Sequence, residues 1–142
     1  MRLIDANLLL YAYNPSFSAH AAARAWLEAT LSAPEPVGLA WVTLVAYVRI
    51  GTNPRAFPDP LTLSEAVAHV DSWLALPCVQ VVNAGPRHWE ILRGLLPAAQ
   101  ARGNLATDAH LAAIALEHGA LLCSTDRDFA RFQGLRFTNP LL

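Results

Sequence analysis

Residues 104–129 read NLATDAHLAAIALEHGALLCSTDRDF, and the order of residue types along this stretch decides the fold class. Asn104 to His118 carries apolar residues at helical spacing, and Gly119 stands where a left-handed C-cap is expected. Ala120 to Ser124 follows as a short apolar run, the pattern of a buried strand. Asp126 comes just after it. A helix running straight into a buried strand that ends on an acid is the building unit of an α/β protein.

Toward the N-terminus the same grammar recurs. Met1-Arg2-Leu3-Ile4 is a short β-like run that stops at Asp5, and Asn7 to Tyr13 continues with helical spacing. Ser18 precedes an Ala-rich amphipathic stretch that fades at Pro34-Glu35-Pro36, which predicts a second helix. Val37 to Ala40 predicts a strand, and Thr43 to Ile50 a helix ended by Gly51 and the Thr52-Asn53-Pro54 turn. Thr62-Leu63-Ser64-Glu65 is a capping-box pattern, opening a helix that closes before Pro77. Val79 to Val82 predicts a buried strand, Pro86 the start of a helix through Trp89, Leu92 and Leu96, and Arg136 to Thr138 a last strand. Strands alternating with helices predict an α/β fold with a short, mainly parallel central sheet covered on both faces. The 142 residues suit one domain, 1–142, with no linker or repeat inside it.

Composition narrows the classes. At 54% hydrophobic against 15% charged, the chain is too apolar to be disordered, and its apolar residues are too evenly spread to form a membrane span. That excess predicts a surface covered by a second copy or another partner. The carboxylate at Asp5 arrives before any apolar stretch able to serve as a signal peptide, so a cytoplasmic location is expected. Cys78 and Cys123 lie in apolar runs and are expected to be buried free thiols. A net charge of −1 means that any surface able to attract nucleic acid must be local.

The acids carry the chemistry. Asp5 and Asp126 each follow a strand, and Asp108 sits near the start of a helix that must pack on the sheet. In a parallel α/β sheet ligands bind in the crevice beyond the C-terminal strand ends, which Asp5 and Asp126 are placed to enter and Asp108 is expected to join from the helix side. Carboxylates within ~5 Å of one another repel by roughly 3 kcal/mol per pair at an effective dielectric of about 20. Raised pKa values or a bound divalent cation relieve that repulsion, and an oxygen-only ligand set favours Mg²⁺, with Mn²⁺ as a substitute. Such an ion polarises a phosphodiester and activates water for in-line attack, which predicts phosphodiester hydrolysis.

Leu3-Ile4-Asp5-Ala6-Asn7, Thr107-Asp108-Ala109-His110-Leu111-Ala112-Ala113 and Ser124-Thr125-Asp126-Arg127-Asp128-Phe129 resemble the three acidic signatures of PIN domains, most closely the VapC toxins of type II toxin–antitoxin pairs. The similarity spans nearly the whole chain in order. It implies a PIN-like three-layer α/β/α sandwich and a Mg²⁺-dependent endoribonuclease acting on RNA. It also implies a cognate antitoxin as inhibitor and, with the apolar excess, a homodimer. The resemblance departs at one place: where PIN domains carry a metal-site Glu three residues before an Arg, this chain has Ala46 ahead of Arg49. The departure raises an alternative, a catalytically weakened PIN-like module that binds RNA or protein.

Around the metal residues Asp5, Asp108 and Asp126, the expected supporting residues are Asn7, Asn104, Thr125 and Asp128. Asn7 and Thr125 are placed to orient Asp5 and Asp126, and Asp128 to join the acids or pair with Arg127 or Arg131. Each acid also has an ordinary reading as a helix or turn cap. Arg49, Arg55 and Arg127 are candidates for RNA contact, together with Arg87 and Arg102, and Trp41 and Phe57 for base stacking. Trp26, Trp73 and Trp89 fall on apolar helical faces as core or interface. The five histidines share no ligand spacing and are expected to be structural or solvated. Ser124 belongs to no hydrolase triad. A small-molecule phosphohydrolase with Asp5 as nucleophile is disfavoured, because no second acid stands nearby in Asp5-Ala6-Asn7.

Overall fold

The computed structural model describes residues 1–142. The elements run β1 (Arg2–Ile4), α1 (Ala6–Tyr13), α2 (His20–Ser32), β2 (Val37–Ala40), α3 (Trp41–Gly51), α4 (Leu63–Leu74), β3 (Val79–Val82), α5 (His88–Ala98), α6 (Asn104–His118), β4 (Leu121–Cys123) and β5 (Phe137–Thr138), with a 3₁₀ turn (Arg127–Arg131) between the last two strands. The five strands form one sheet in the order β3-β2-β1-β4-β5, parallel throughout. This is the short parallel sheet the sequence predicts.

Alternation along each strand divides the interior into two cores. Leu3, Ala40, Val82 and Leu122 point to the face covered by α5 and α6. Their neighbours Ile4, Leu39 and Cys123 point the other way, into a core shared with Leu8, Leu9, Leu27, Tyr47 and Trp73 from α1, α2, α3 and α4. β1, β2 and β4 lie inside the sheet and are largely buried on both faces, so three or four residues suffice for each, whereas β3, expected to be buried, is an edge strand with Gln80 exposed.

Local chemistry sets the helix ends. Thr62 and Glu65 form the expected capping box at α4, with Thr62 Oγ1 accepting from Glu65 N at 3.1 Å and Glu65 Oε1 accepting from Thr62 N at 3.0 Å. Gly119 closes α6 at φ 63, a left-handed cap that costs glycine nothing. Three starts differ from expectation. Turns at Asn14–Phe17 and Phe17–His20 delay α2 until His20. The Glu117 carboxylate takes the N–H groups of Gly85 and Arg87, so α5 begins at His88 rather than Pro86. α3 starts at Trp41, directly off β2, with Ala40 as its N-cap.

Several side-chain expectations need correction. Phe57 is buried against Phe17, ring centroids 5.5 Å apart, so it offers no stacking face. Of the rings expected in the core or at an interface, Trp73 is core and Trp89 is exposed, which leaves both readings standing. Cys123 is buried as expected, but Cys78 is only half-buried, its thiol directed at Leu31 O; both are free. All five histidines make hydrogen bonds, including a Tyr47–His69 contact and a His88–His110 contact between α5 and α6. No helix is long and apolar enough to cross a membrane.

Candidate metal centre

The sheet order places the site. The chain leaves β1 toward β2 and β3 and returns to its other side for β4 and β5, so the ends of β1 and β4 lie side by side at the point where strand order reverses. Asp5 follows β1 and Asp126 follows β4.

Asp5 is both cap and site residue. Its Oδ1 accepts the N–H of Ala6 at 2.8 Å as the N-cap of α1, and its Oδ2 accepts the Ser124 hydroxyl at 2.7 Å. Burial pushes its pKa up, the two hydrogen bonds pull it down, and the charge of Asp126 raises it again. Asp126 likewise caps the 3₁₀ turn, its Oδ1 accepting from Asp128 N at 2.9 Å.

Asp108 has no such occupation. α6 begins four residues earlier behind Gly103, so Asp108 stands in its second turn, beyond any cap, and no hydrogen bond reaches its carboxylate. Its pKa is raised to about 6, first by burial and then by the charges of Asp126, Asp5 and Asp128. Carboxylate oxygens of Asp108, Asp126 and Asp128 lie within 4.8 Å of one another. Asp5 stands beside that trio, not in it, and shares with Asp108 a cleft of about 340 Å³ that also touches Thr43, Ala46 and Arg49. The only cation paired with any of these acids is Arg131, 3.3 Å from Asp128, and both of those side chains are half-exposed. Oxygen donors, uncompensated charge and an unpartnered carboxyl fit Mg²⁺ or Mn²⁺ better than softer metals.

The supporting residues divide. Asn7 Nδ2 donates to Ser124 Oγ at 3.2 Å, so Asn7 reaches Asp5 only through Ser124. Thr125 makes no side-chain hydrogen bond, and Ser124 takes the orienting role expected of it. Asn104 is exposed one turn before Asp108, on the same face of α6. Asp128 joins the acids while keeping its contact with Arg131. Arg49 lines the cleft and Arg127 sits next to Asp126, whereas Arg55 lies past the C-terminal end of α3 and does not line the cleft. Arg87 is paired with Glu90. Trp41 borders the cleft and is 52% exposed, so its stacking face is free.

Two residues that sequence reasoning passed over matter here. Ser124 is fully buried, and its hydroxyl donates to Asp5 while accepting from Asn7 and from Asp126 N, which uses its full capacity of one donor and two acceptors. The spacing Ser124-x-Asp126 was the available signal, since a hydroxyl often accepts the N–H two residues on. Thr43 is the other buried polar residue, 2% exposed, and its Oγ1 has no partner. Its signal was a hydroxyl in the apolar run that opens α3.

A cluster of acids at the strand ends of a parallel sheet of this order is in keeping with a PIN domain, and the chain belongs to the PIN-domain family, matching it over residues 2–135. Within the family it falls among the VapC proteins. It is 44% identical over 140 residues to ribonuclease VapC37 of Mycobacterium tuberculosis, covering 99% of this chain and 97% of that one. It is 41% identical to ribonuclease VapC33 of the same species, covering 99% of both. Among solved structures, VapBC2 of Rickettsia felis bound to a promoter DNA fragment aligns with TM-score 0.70 at 14% identity, covering 97% of each chain. The sarcin-ricin loop cleaving toxin VapC20 of M. tuberculosis aligns with TM-score 0.69 at 19% identity, covering 96% of this chain and 99% of that one.

Proposed function

We propose that this chain is a Mg²⁺-dependent endoribonuclease, the toxin of a toxin–antitoxin pair, with Asp5, Asp108 and Asp126 holding the ion and Asp128 adding charge where Ala46 supplies none. The observation that carries the reading is Asp108: a carboxyl with no cation paired to it, its pKa raised to about 6 by burial and three neighbouring acids, stands with Asp126 and Asp128 in a cluster whose repulsion a bound divalent ion would relieve. When bound, the ion supplies Lewis-acid polarisation of a phosphodiester and a nucleophilic water at neutral pH. The protein's part is positional. Ser124 fixes the rotamer of Asp5, the Asp128 N–H fixes Asp126, and the second turn of α6 presents Asp108 to both.

The ribonuclease names of the relatives support RNA as substrate, and the sarcin-ricin loop named for VapC20 makes structured RNA a reasonable first choice. VapBC assemblies among the structural neighbours support an antitoxin partner, and the exposed Trp41, Val45 and Val67 support association with that partner or a second copy. We place the protein in the cytoplasm with its substrate.

The test is cleavage of a structured RNA with Mg²⁺ by wild type and Asp108→Asn. Asp108 caps nothing, so the substitution leaves the fold intact and activity should fall at least 10²-fold. Cleavage that survives both EDTA and this substitution refutes the reading.

A further inference from the structure

One cation stands against the acidic cluster, and the metal centre as described gives it no task. Arg131 Nε lies 3.3 Å from Asp128 Oδ1, and Asp128 is itself one of the three acids whose carboxylate oxygens lie within 4.8 Å of one another. Asp108 and Asp126, the other two, pair with no cation, and neither does Asp5. Asp128 is therefore claimed from two sides.

The local fold favours this pairing. Arg127–Arg131 is a 3₁₀ turn, and at about three residues per turn positions i and i+3 eclipse, which stacks Arg131 on Asp128. Phe129, fully buried and packed with Phe132 and Phe137, anchors the turn in the core. Asp126 caps its start by accepting the Asp128 N–H at 2.9 Å. The backbone thus keeps the guanidinium within reach of Asp128.

Charge decides the consequence. Oxygens bound to one Mg²⁺ lie at most ~4.2 Å apart, twice the bond length of ~2.1 Å, so the cluster contracts slightly to take the ion. Drawing Asp128 inward either stretches its contact with Arg131 or pulls the guanidinium toward the ion, and both oppose loading. Ala46, on the wall of the neighbouring cleft, supplies no carboxylate to make up the difference.

We propose that Arg131 is an internal counter-ion of the metal centre, which competes with the divalent ion for Asp128 and holds the centre's affinity down. The inference rests on the reading of the acids as a Mg²⁺ site. Arg131 acts on the ion through Asp128 and takes no part in the chemistry, so it is a positioning residue. A centre weakened in this way fills and empties with the free concentration of the ion.

The experiment titrates the full chain with Mn²⁺, the free ion being followed by EPR, and repeats the titration on variants at the two positions. Arg131→Gln should bind Mn²⁺ about tenfold more tightly, the effect of one uncompensated unit charge on a divalent ion ~7 Å away at a dielectric close to that of water. Arg131→Lys keeps the positive charge and should stay at the wild-type affinity. In an Asp128→Asn background the gain from Arg131→Gln should vanish, because the group for which ion and guanidinium compete is gone. An equal gain in both backgrounds overturns the proposal, since Arg131 would then act by general charge. So does weaker Mn²⁺ binding in Arg131→Gln, which would make Arg131 the group that orients Asp128 as a ligand. A change confined to the melting temperature in EDTA, with Mn²⁺ affinity unmoved, overturns it as well and leaves an ordinary surface ion pair. The two readings fail separately: equal Mn²⁺ binding by wild type and Arg131→Gln removes the counter-ion alone. Binding by Arg131→Gln and not by wild type keeps the counter-ion and removes the Mg²⁺ reading of the native chain, and binding by neither removes both.

Discussion

Ser124 Oγ donates to Asp5 Oδ2 at 2.7 Å and accepts the N–H of Asp126 at 3.0 Å, so one buried hydroxyl joins the ends of β1 and β4 and sets two acids relative to each other. Ser124→Ala leaves Asn7 Nδ2 and Asp126 N without their acceptor and Asp5 with one hydrogen bond fewer. The expected cost is about 2 kcal/mol in urea unfolding, because buried donors lose their partners while the cavity left behind is small. Mn²⁺ affinity should fall about tenfold or more, as when a ligand loses the group that orients it. Unchanged Mn²⁺ binding in calorimetry would mean that Asp5 is held by its place at the start of α1 alone.

Asp108 makes the metal-free protein less stable as pH rises. Its folded pKa, about 6, lies above the ordinary carboxylate value, so between roughly pH 4 and pH 6 the folded state holds a proton that the unfolded state has released. Stability therefore falls as pH climbs through that window and is level above it. Asp5, whose pKa is also raised, acts in the same direction. The side chain is partly open to water, and solvent screening reduces the effect to on the order of 1 kcal/mol. Asp108→Asn should be more stable than wild type by about that amount at pH 7 without metal, and equal to it near pH 3.5. Saturating Mn²⁺ should stabilise the wild type and not the variant. Melting curves against pH, with and without Mn²⁺, check both.

The connection that delivers α6 to the site is held by unusual backbone. Gln100 sits at φ 51, a left-handed conformation that costs a side-chain-bearing residue about 1 kcal/mol, and Gly103 at φ 64 and ψ −133 lies where essentially only glycine goes. Gln100→Gly should therefore raise stability by about 0.5 kcal/mol or more without touching activity. Gly103→Ala should lower stability by about 1–3 kcal/mol and, by shifting the start of the helix that carries Asp108, weaken Mn²⁺ binding as well. A Gly103→Ala protein with wild-type melting behaviour would show that the backbone there relaxes freely.

Much of this was readable before the structure, and the boundary is physical. Apolar runs bounded by turn residues located all five strands to within a residue or so, and Gly119 and the Thr62–Glu65 box fixed helix ends, because those signals act over four or five neighbouring residues. Asp5 and Asp126 were assignable to one sheet edge because each follows a strand. Hydrogen bonding across 119 positions was not readable: Ser124 looked like one more strand residue until β1 and β4 paired. Phe57, a candidate for base stacking, went into the core instead, since composition shows that a ring is apolar and not which neighbour will cover it.

Ala46 stands where the PIN resemblance leads one to expect an acid, and it offers the sharpest reversal of charge. Its methyl lines the cleft shared by Asp5 and Asp108, with about 340 Å³ of open volume in front of it, so a longer side chain there has room to reach the acids. Ala46→Glu adds a further carboxylate to a cluster that already raises the pKa of Asp108. Without metal the variant should be less stable than wild type at pH 7, since a new like charge joins the repulsion. With metal the order should reverse: added ligand charge tightens cation binding, and Mn²⁺ affinity in calorimetry should rise about tenfold or the stoichiometry should increase. Mn²⁺ affinity and stoichiometry both at the wild-type values would place the introduced carboxylate outside the cleft.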